Sequence, residues 1–530
     1  MTAPVPGAVG ALAAVALGAD HAWRAAAVAA GAVAAGAAGV RWLRVAQREH
    51  YLPGAASRFA WRWWVGVPVN AAALVPAAAG LVLAWRWAVA AFAPAAVLAA
   101  GPIGLTLRGR TSPLAWTRRL RTLAAVWVVL EGGAVAGGVV AGEGPVTAAA
   151  AALAAPVLVD LACVLLAPLE RRLGSVHVRR AAARLRRVSP RVVAITGSYG
   201  KTSTKGYVAH LLGGAMTVVA SPASFNNRAG LARAVNEQLA DGTEVFVAEM
   251  GTYGPGEIAE LCSWIPPDIA VITALGPVHL ERFGSEERIL AAKAEILDKA
   301  PCAVVVVDDP RLAALADERA PRLSALWRVS GDDPAADVAV TETAGGLVVH
   351  VGGRQVGGAV AIDARPGNVA AAVAVAVQLG VPEDEIARRI ATLPTAAHRL
   401  EPSRNARGLV VLDDTYNANP AGARAALGAL ARLGHHGARR VVVTPGMVEL
   451  GPVQAEENRR FAREAAAVAT DVVVVGRTNR RALLVGAAGA PGGARTVVVR
   501  TRQQATEWVR AQTAPGDVVL YENDLPDHYP

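Results

Sequence analysis

Lysine is scarce in this 530-residue chain: only Lys201, Lys205, Lys293 and Lys299 occur among 53 basic residues, the rest being arginine. A guanidinium is neither a neutral nucleophile nor able to form a carbamate, so retained lysines direct attention to chemistry that needs an amine. Lys299 reads as a surface residue, and Lys205 can be read the same way. Cysteine is almost as rare. Cys163, Cys262 and Cys302 are scattered, which excludes a disulfide framework and a Cys-ligated zinc and suits a reducing cytoplasm. Acids are sparse early on: residues 1–190 hold six against nineteen arginines and no lysine, a net +13. The whole chain is +10, so residues 191–530 carry about −3. This basic excess lies between hydrophobic runs, where it reads as membrane topology and not as a nucleic-acid surface.

The N-terminal third is apolar and Ala-rich. Runs at about 25–41, 65–84, 87–107, 122–141 and 146–168 are long enough to span a bilayer, and 5–19 could add another, giving five or six spans. The 5–19 stretch lacks the basic flank of a cleaved signal peptide. Arginines cluster at 41–62, 108–121 and 171–187, two spans apart each time, so all three clusters fall on one face. The opposite turns, Trp85-Arg86 and Gly142-Glu143-Gly144-Pro145, are short. The basic face is cytoplasmic by the positive-inside rule, placing the C-terminal two-thirds in the cytoplasm as part of a multi-pass inner-membrane protein. Trp61, Trp63, Trp64, Trp85 and Trp87 fall where interfacial anchors are expected. Glu131 and Asp160 lie within the runs, where acids mark a lipid or substrate path, or else lie near helix ends or face neighbouring helices. The expected organisation is a transmembrane helical domain over 1–170, a basic linker over 171–190, a nucleotide-binding domain over 191–398 and a C-terminal domain over 399–530.

From Arg191 the pattern becomes that of a doubly wound α/β sheet. Short Val/Ile runs at 192–195, 245–247, 269–272 and 304–307 alternate with helical stretches, and residues 337–362 read as a β-excursion. A second α/β unit has strands near 409–412, 441–444, 472–475 and 518–521. Between the first strand and its helix lies Thr196-Gly197-Ser198-Tyr199-Gly200-Lys201-Thr202-Ser203-Thr204. Glycines there turn backbone N–H groups onto phosphate, and the helix N-terminus adds positive potential. Lys201 would neutralise phosphate charge and Thr202 would reach Mg²⁺. The loop is shorter than the general phosphate-loop pattern, because Ile195 stands where that pattern has Gly.

Five ordered blocks make the stretch from Thr196 to about Pro420 resemble the Mur ligases, in particular their MurF-like branch. They are Gly197–Lys205; Ser224-Phe225-Asn226-Asn227; Glu249-Met250-Gly251 with Pro255-Gly256-Glu257-Ile258; Gly276–Glu281 with Ala292-Lys293-Ala294-Glu295-Ile296; and Asp413–Pro420. The resemblance implies a P-loop-type central domain, a Rossmann-like C-terminal domain, and ATP and Mg²⁺ as cofactors. It implies ATP contacts by Gly197, Ser198, Gly200, Lys201, Thr202, Ser203, Asn368, Arg399 and Asp414. It also implies Mg²⁺ binding by Thr202, Glu249, His279 and Lys293 if carbamylated, with Lys201, Lys293, Glu249, His279 and Arg399 as the catalytic set. Asn226, Asn227, Tyr416, Asn417 and Asn419 would line the substrate cleft. The implied reaction joins a small-molecule or lipid-linked carboxylate to an amine through an acyl phosphate, with membrane lipids around the anchor and no nucleic acid. Mur ligases normally begin with a soluble domain that grips UDP; here apolar runs take its place. Asn458 stands where a histidine is expected, and Tyr521-Glu522-Asn523 replaces a Lys-Gly-Ser ending. A poly-γ-glutamate-synthase-like ligase and a non-catalytic nucleotide-binding scaffold are the alternatives.

Overall fold

The computed structural model describes residues 6–109, 113–222, 225–360, 364–394, 402–415, 419–434, 437–491, 493–525 and 528–530, with side chains from residue 20 onward. The chain divides into two compact units, Met1–Arg172 with Leu525–Pro530, and Leu173–Asp524.

The first unit is helical: α1 (Pro6–Arg48), α2 (Ala55–Trp64), α3 (Pro68–Leu83), α4 (Phe92–Ala100), α5 (Arg118–Val140) and α6 (Gly144–Val188). Three of its helices are long and apolar enough to cross a membrane, or four if the pair α2 and α3, bent by 96°, counts as one span. The apolar runs behind the expected five or six spans are distributed over these helices as follows. The 5–19 and 25–41 stretches belong to one helix, and the 87–107 run yields only a short apolar helix ended at Gly101-Pro102. The basic segment expected as a linker continues α6 to Val188.

Packing in this unit reassigns several residues. Gly39 lets the Trp127 ring lie directly on α1, where an added Cβ would come within 2.2 Å of the indole. Arg41, expected in an exposed basic loop, is buried and donates to the carbonyls of Ala99 (2.8 Å), Leu105 (3.2 Å), Leu98 (3.3 Å) and Ala100 (3.3 Å). It thereby satisfies acceptors that the end of α4 leaves open. Asp160 caps α2: its carboxylate accepts from Ala56 N (3.1 Å), Ser57 N (2.8 Å) and Ser57 Oγ (2.6 Å). Its role is therefore structural. Trp61, Trp85 and Trp87 are exposed as interfacial anchors should be, but Trp63 and Trp64 are buried. Trp63 Nε1 donates to the carbonyl of His528 (2.8 Å), whose Nε2 pairs with Glu49 Oε1 at 3.0 Å. Phe59 packs 4.9 Å from both the His528 and Tyr529 rings.

The second unit holds two sheets. In order, the first half runs β1 (Arg191–Thr196), α7 (Lys201–Leu212), β2 (Val218–Ala220), α8 (Arg228–Gln238), β3 (Val245–Glu249), α9 (Glu257–Trp264), β4 (Ile269–Ile272), α10 (Leu280–Phe283), α11 (Glu286–Ala294), β5 (Cys302–Val306), α12 (Pro310–Arg319), β6 (Ala325–Ser330), β7 (Val338–Thr343), β8 (Gly346–Val351), β9 (Arg354–Val360), α13 (Pro366–Gln378) and α14 (Glu383–Ile390). Its sheet order is β2-β3-β1-β4-β5-β6-β7-β8-β9, parallel until the antiparallel β7–β9 excursion that the Val/Gly/Thr-rich segment predicts. The central strands are buried on both faces, which is why they read as unbroken Val/Ile runs. The second half runs β10 (Pro402–Arg404), β11 (Val410–Asp414), α15 (Pro420–Leu433), β12 (Arg440–Thr444), α16 (Gln454–Val468), β13 (Asp471–Val475), α17 (Arg480–Ala488), β14 (Arg495–Val499), α18 (Arg502–Gln512) and β15 (Val518–Glu522), in the order β10-β11-β15-β12-β13-β14. In both sheets some of the parallel strands end in polar residues, Thr196 and Glu249 in the first and Asp414, Thr444 and Glu522 in the second, where open α/β folds bind ligands.

Candidate active site

The loop between β1 and α7 is shaped by its glycines. Gly200 caps α7 at φ 80°, a conformation that excludes most side chains, and a Cβ there would sit 2.3 Å from Asn368 Oδ1. Asn368, at the start of α13, is thus packed against the loop as expected of a nucleotide-site residue. Ser198 is buried; its N–H donates to Ala274 O (2.7 Å) and its Oγ accepts from Gly276 N (3.1 Å). Lys201 Nζ donates to Gly197 O at 2.7 Å, folding back over its own loop. Ser203 follows on the first turn of α7.

Glu249 ends β3 beside β1, its Cα in register with Ile195. Its Oε2 accepts from Thr202 Oγ1 at 3.0 Å and from Lys205 Nζ at 3.0 Å, and its Oε1 accepts from Asn226 Nδ2 at 3.2 Å. Lys205 is therefore no surface residue: it is buried and forms an ion pair with the buried Glu249. Its place one helical turn after Lys201, on the same face of α7, is the signal that could have found it. Lys293 on α11 is also buried, and among the described residues it has no hydrogen-bond partner. Burial, then the positive charge of Lys201, hold its amine well below the usual lysine range. Three of the four lysines thus converge on one site, and Lys299 is exposed as expected.

Among the described residues no hydrogen bond joins His279 to these side chains; its contacts come from other elements. Its Nδ1 forms a short hydrogen bond to Glu449 Oε2, and Tyr253 packs edge-on at 4.9 Å. Arg282 Nη2 donates to the other oxygen, Glu449 Oε1, at 3.2 Å. Burial raises the Glu449 pKa, but the hydrogen bond and charge of His279, with those of Arg282, outweigh it and hold the carboxyl at about 2. Asp414 ends β11 in register with Glu522 on β15. Burial, with the charge of Asp414, pushes Glu522 up to about 8 against the hydrogen bond from Thr444 Oγ1 (2.9 Å). Neither Glu449 nor Glu522 was recognisable as a partner of these residues from sequence. Asn458, in place of the expected histidine, is buried and grips the Gly446–Leu450 loop through Met447 N (2.8 Å) and Met447 O (2.9 Å).

Two expected substrate residues cap helices: Asn227 Oδ1 accepts from Gly230 N (2.9 Å) and Asn419 Oδ1 from Gly422 N (2.8 Å). Arg399, Tyr416 and Asn417 lie outside the described residues. Cys262 and Cys302 are buried, with thiols pushed up to about 12 and about 11, and play no part.

The oxygen donors suit Mg²⁺, which is commonly held by one or two carboxylates, a hydroxyl, waters and substrate phosphates. Thr202 and Glu249 meet that need. Among the described residues no group of three His, Cys, Asp or Glu side chains converges.

A phosphate loop at the C-terminal end of an interior parallel strand, a carboxylate–hydroxyl pair beside it and a second α/β half define a nucleotide-dependent ligase. Residues 195–375 match the Mur ligase middle domain and residues 398–521 the Mur ligase glutamate ligase domain. The UDP-N-acetylmuramoyl-tripeptide--D-alanyl-D-alanine ligase of Mycobacterium leprae is 35% identical over 362 residues, covering 62% of this chain and 70% of that one. That of Mycobacterium tuberculosis is 36% identical over 358 residues, covering 62% and 69%. Among solved structures, MurF from Acinetobacter baumannii superposes with a TM-score of 0.58 at 25% identity, covering 66% of this chain and 77% of that one. The MurF ligase of Thermotoga maritima in complex with ADP gives 0.53 at 27% identity, covering 66% and 80%. The chain belongs to the Mur ligase family and is an ATP-dependent carboxylate–amine ligase of the MurF-like branch.

Proposed function

We propose that this ligase is anchored in the cytoplasmic membrane by its N-terminal helices and joins a carboxylate on a cell-envelope precursor, lipid-linked or nucleotide-linked, to an incoming amine. The observation that carries the chemistry is the convergence of Lys201, Thr202, Glu249, Lys205 and Asn226 beside the buried Lys293. The anchoring rests on three helices of spanning length that precede the family match at residue 195. The named relatives act, by their names, on a UDP-linked muramoyl tripeptide and D-alanyl-D-alanine, which makes that pair the first to test.

In this reading the carboxylate attacks the γ-phosphorus of ATP, expelling ADP and leaving an acyl phosphate. The amine nitrogen then attacks the acyl carbon, inorganic phosphate departs with the bonding electrons, and the nitrogen loses a proton. ATP supplies the phosphoryl group; Mg²⁺, when bound, would neutralise its oxygens, and Thr202 and Glu249 are the residues that would hold it. The chain's part is positioning and charge. Lys201 exchanges the Gly197 carbonyl for phosphate oxygen, and Lys205 holds Glu249 in place. Lys293, its amine held well below the usual lysine range by burial and by the charge of Lys201, is suited to take up CO₂ as a carbamate, turning a buried amine into an anion facing the cation site. His279 is read as a further cation ligand.

The test is ADP release and amide formation by protein purified in detergent with ATP, Mg²⁺, candidate muropeptides and amines. Replacing Lys201 by alanine should lower the rate about 100-fold or more. ADP release no greater than that of Lys201→Ala across the panel would refute the reading.

A further inference from the structure

His279 and Glu449 come from different halves of the second unit: His279 lies within the matched middle domain, Glu449 within the matched C-terminal one. Both occupy the left-handed backbone region, at φ 59° and φ 64°, which is uncommon for residues with a side chain and persists only where the surroundings enforce it. The surroundings do so from three directions. Glu281 N–H donates to the Glu449 carbonyl at 3.2 Å, tying the two loops together through their backbones. Arg282, three residues after His279, holds Glu449 Oε1 at 3.2 Å while its guanidinium lies 4.8 Å from the Tyr253 ring centroid. Tyr253 packs against the imidazole. Glu449 Oε2 is left for a single partner, His279 Nδ1.

A carboxylate can only accept, so Nδ1 carries the proton, and once the other nitrogen exchanges its proton for a metal ion the lone pair presented is that of Nε2. Among the described residues Nε2 has no partner. An imidazole with one nitrogen bound to a carboxylate and the other open is how proteins prepare histidine for a metal ion. A surface ion pair would need neither the two strained backbones nor the second anchor from Arg282.

We propose that Glu449 is the positioning residue that fixes the tautomer and orientation of His279, presenting Nε2 to the divalent cation, so that the C-terminal half completes the cation site of the middle half. The proposal rests on the reading of His279 as a cation ligand. It makes the seating of one half on the other and the affinity for the cation reciprocal: whatever withdraws the Glu449 loop loosens the ion.

Mn²⁺ serves as the probe, titrated into purified full-length protein with ADP and followed by the loss of the free-ion paramagnetic resonance signal. Glu449→Ala should weaken Mn²⁺ binding roughly tenfold to a hundredfold, the usual effect of removing such a partner. Glu449→Gln, whose amide oxygen still accepts from Nδ1, should stay within about threefold of wild type. Glu449→Asp, which withdraws the carboxylate, should resemble alanine, and it serves as the test if the alanine variant does not fold. ADP affinity without cation should be unmoved in all three, which a general loss of domain docking would not allow. If His279→Ala weakens Mn²⁺ binding but Glu449→Ala and Glu449→Asp leave it within twofold, the positioning role is overturned and the ligand reading stands. If His279→Ala itself leaves Mn²⁺ binding unchanged, the ligand reading falls and this proposal falls with it.

Discussion

Lys205 Nζ and Thr202 Oγ1 meet on one oxygen, Glu249 Oε2, each at 3.0 Å. The ammonium and carboxylate are both buried, so each is stable there largely because of the other. Lys205→Met should leave Glu249 charged and unpaired, costing about 3–5 kcal/mol of stability. Thermal unfolding of the nucleotide-free protein measures the loss, and ADP release should fall with it. A variant as stable as wild type would show the pair to be dispensable.

Glu522 makes a prediction with a definite sign. Its carboxyl is raised from an ordinary 4.5 to about 8 in the folded protein. Below 4.5 both states are neutral. Between 4.5 and 8 the unfolded chain ionises while the folded one keeps its proton, so stability declines as pH rises through that window and levels off above it. Glu522→Gln, a permanent mimic of the neutral acid, should flatten this decline, and denaturant midpoints at pH 5 and pH 8.5 should differ less than in wild type.

Asp160 is assigned a cap, not a transport role. Asp160→Ala should cost about 0.5–2 kcal/mol through lost capping of α2, with Asp160→Asn recovering part of it. Heat denaturation in detergent reads the change. Steady-state ADP release at a temperature where both variants are folded should match wild type.

His528 and Glu49 lie 3.0 Å apart and both are buried. His528→Ala removes a partner of Glu49 and a ring packed on Phe59, so the first unit should lose about 1–3 kcal/mol. Faster protease release of the C-terminal residues, with the helical unit otherwise intact, is the expected signature.

Much of the fold was legible because α/β sheets write themselves plainly. The buried runs at 192–195, 245–247 and 269–272 became β1, β3 and β4, and the Val/Gly/Thr segment became the antiparallel excursion. The ordered blocks located the phosphate loop, Glu249 and Lys293. Other features depended on distance in sequence. The pairing of His279 with Glu449 spans 170 residues and that of Asp160 with α2 spans 104, so neither shows in a local pattern. The helical third was legible less directly: hydropathy registers apolar length but not a helix break, so the run at 65–84 holds α3, which begins only at Pro68, and the run at 87–107 holds only the short α4.

The rarity of lysine turns this site into its own spectroscopic window. Lysine labelled with an isotope at Cε and supplied during growth marks only four side chains, and just one of them, Lys299, is exposed. A labelled spectrum would therefore pair one sharp solvent-side reference with signals from Lys201, Lys205 and Lys293. Nucleotide arrival, loss of the Glu249 pairing and capture of carbon dioxide each become separately visible, without placing a foreign reporter in the protein.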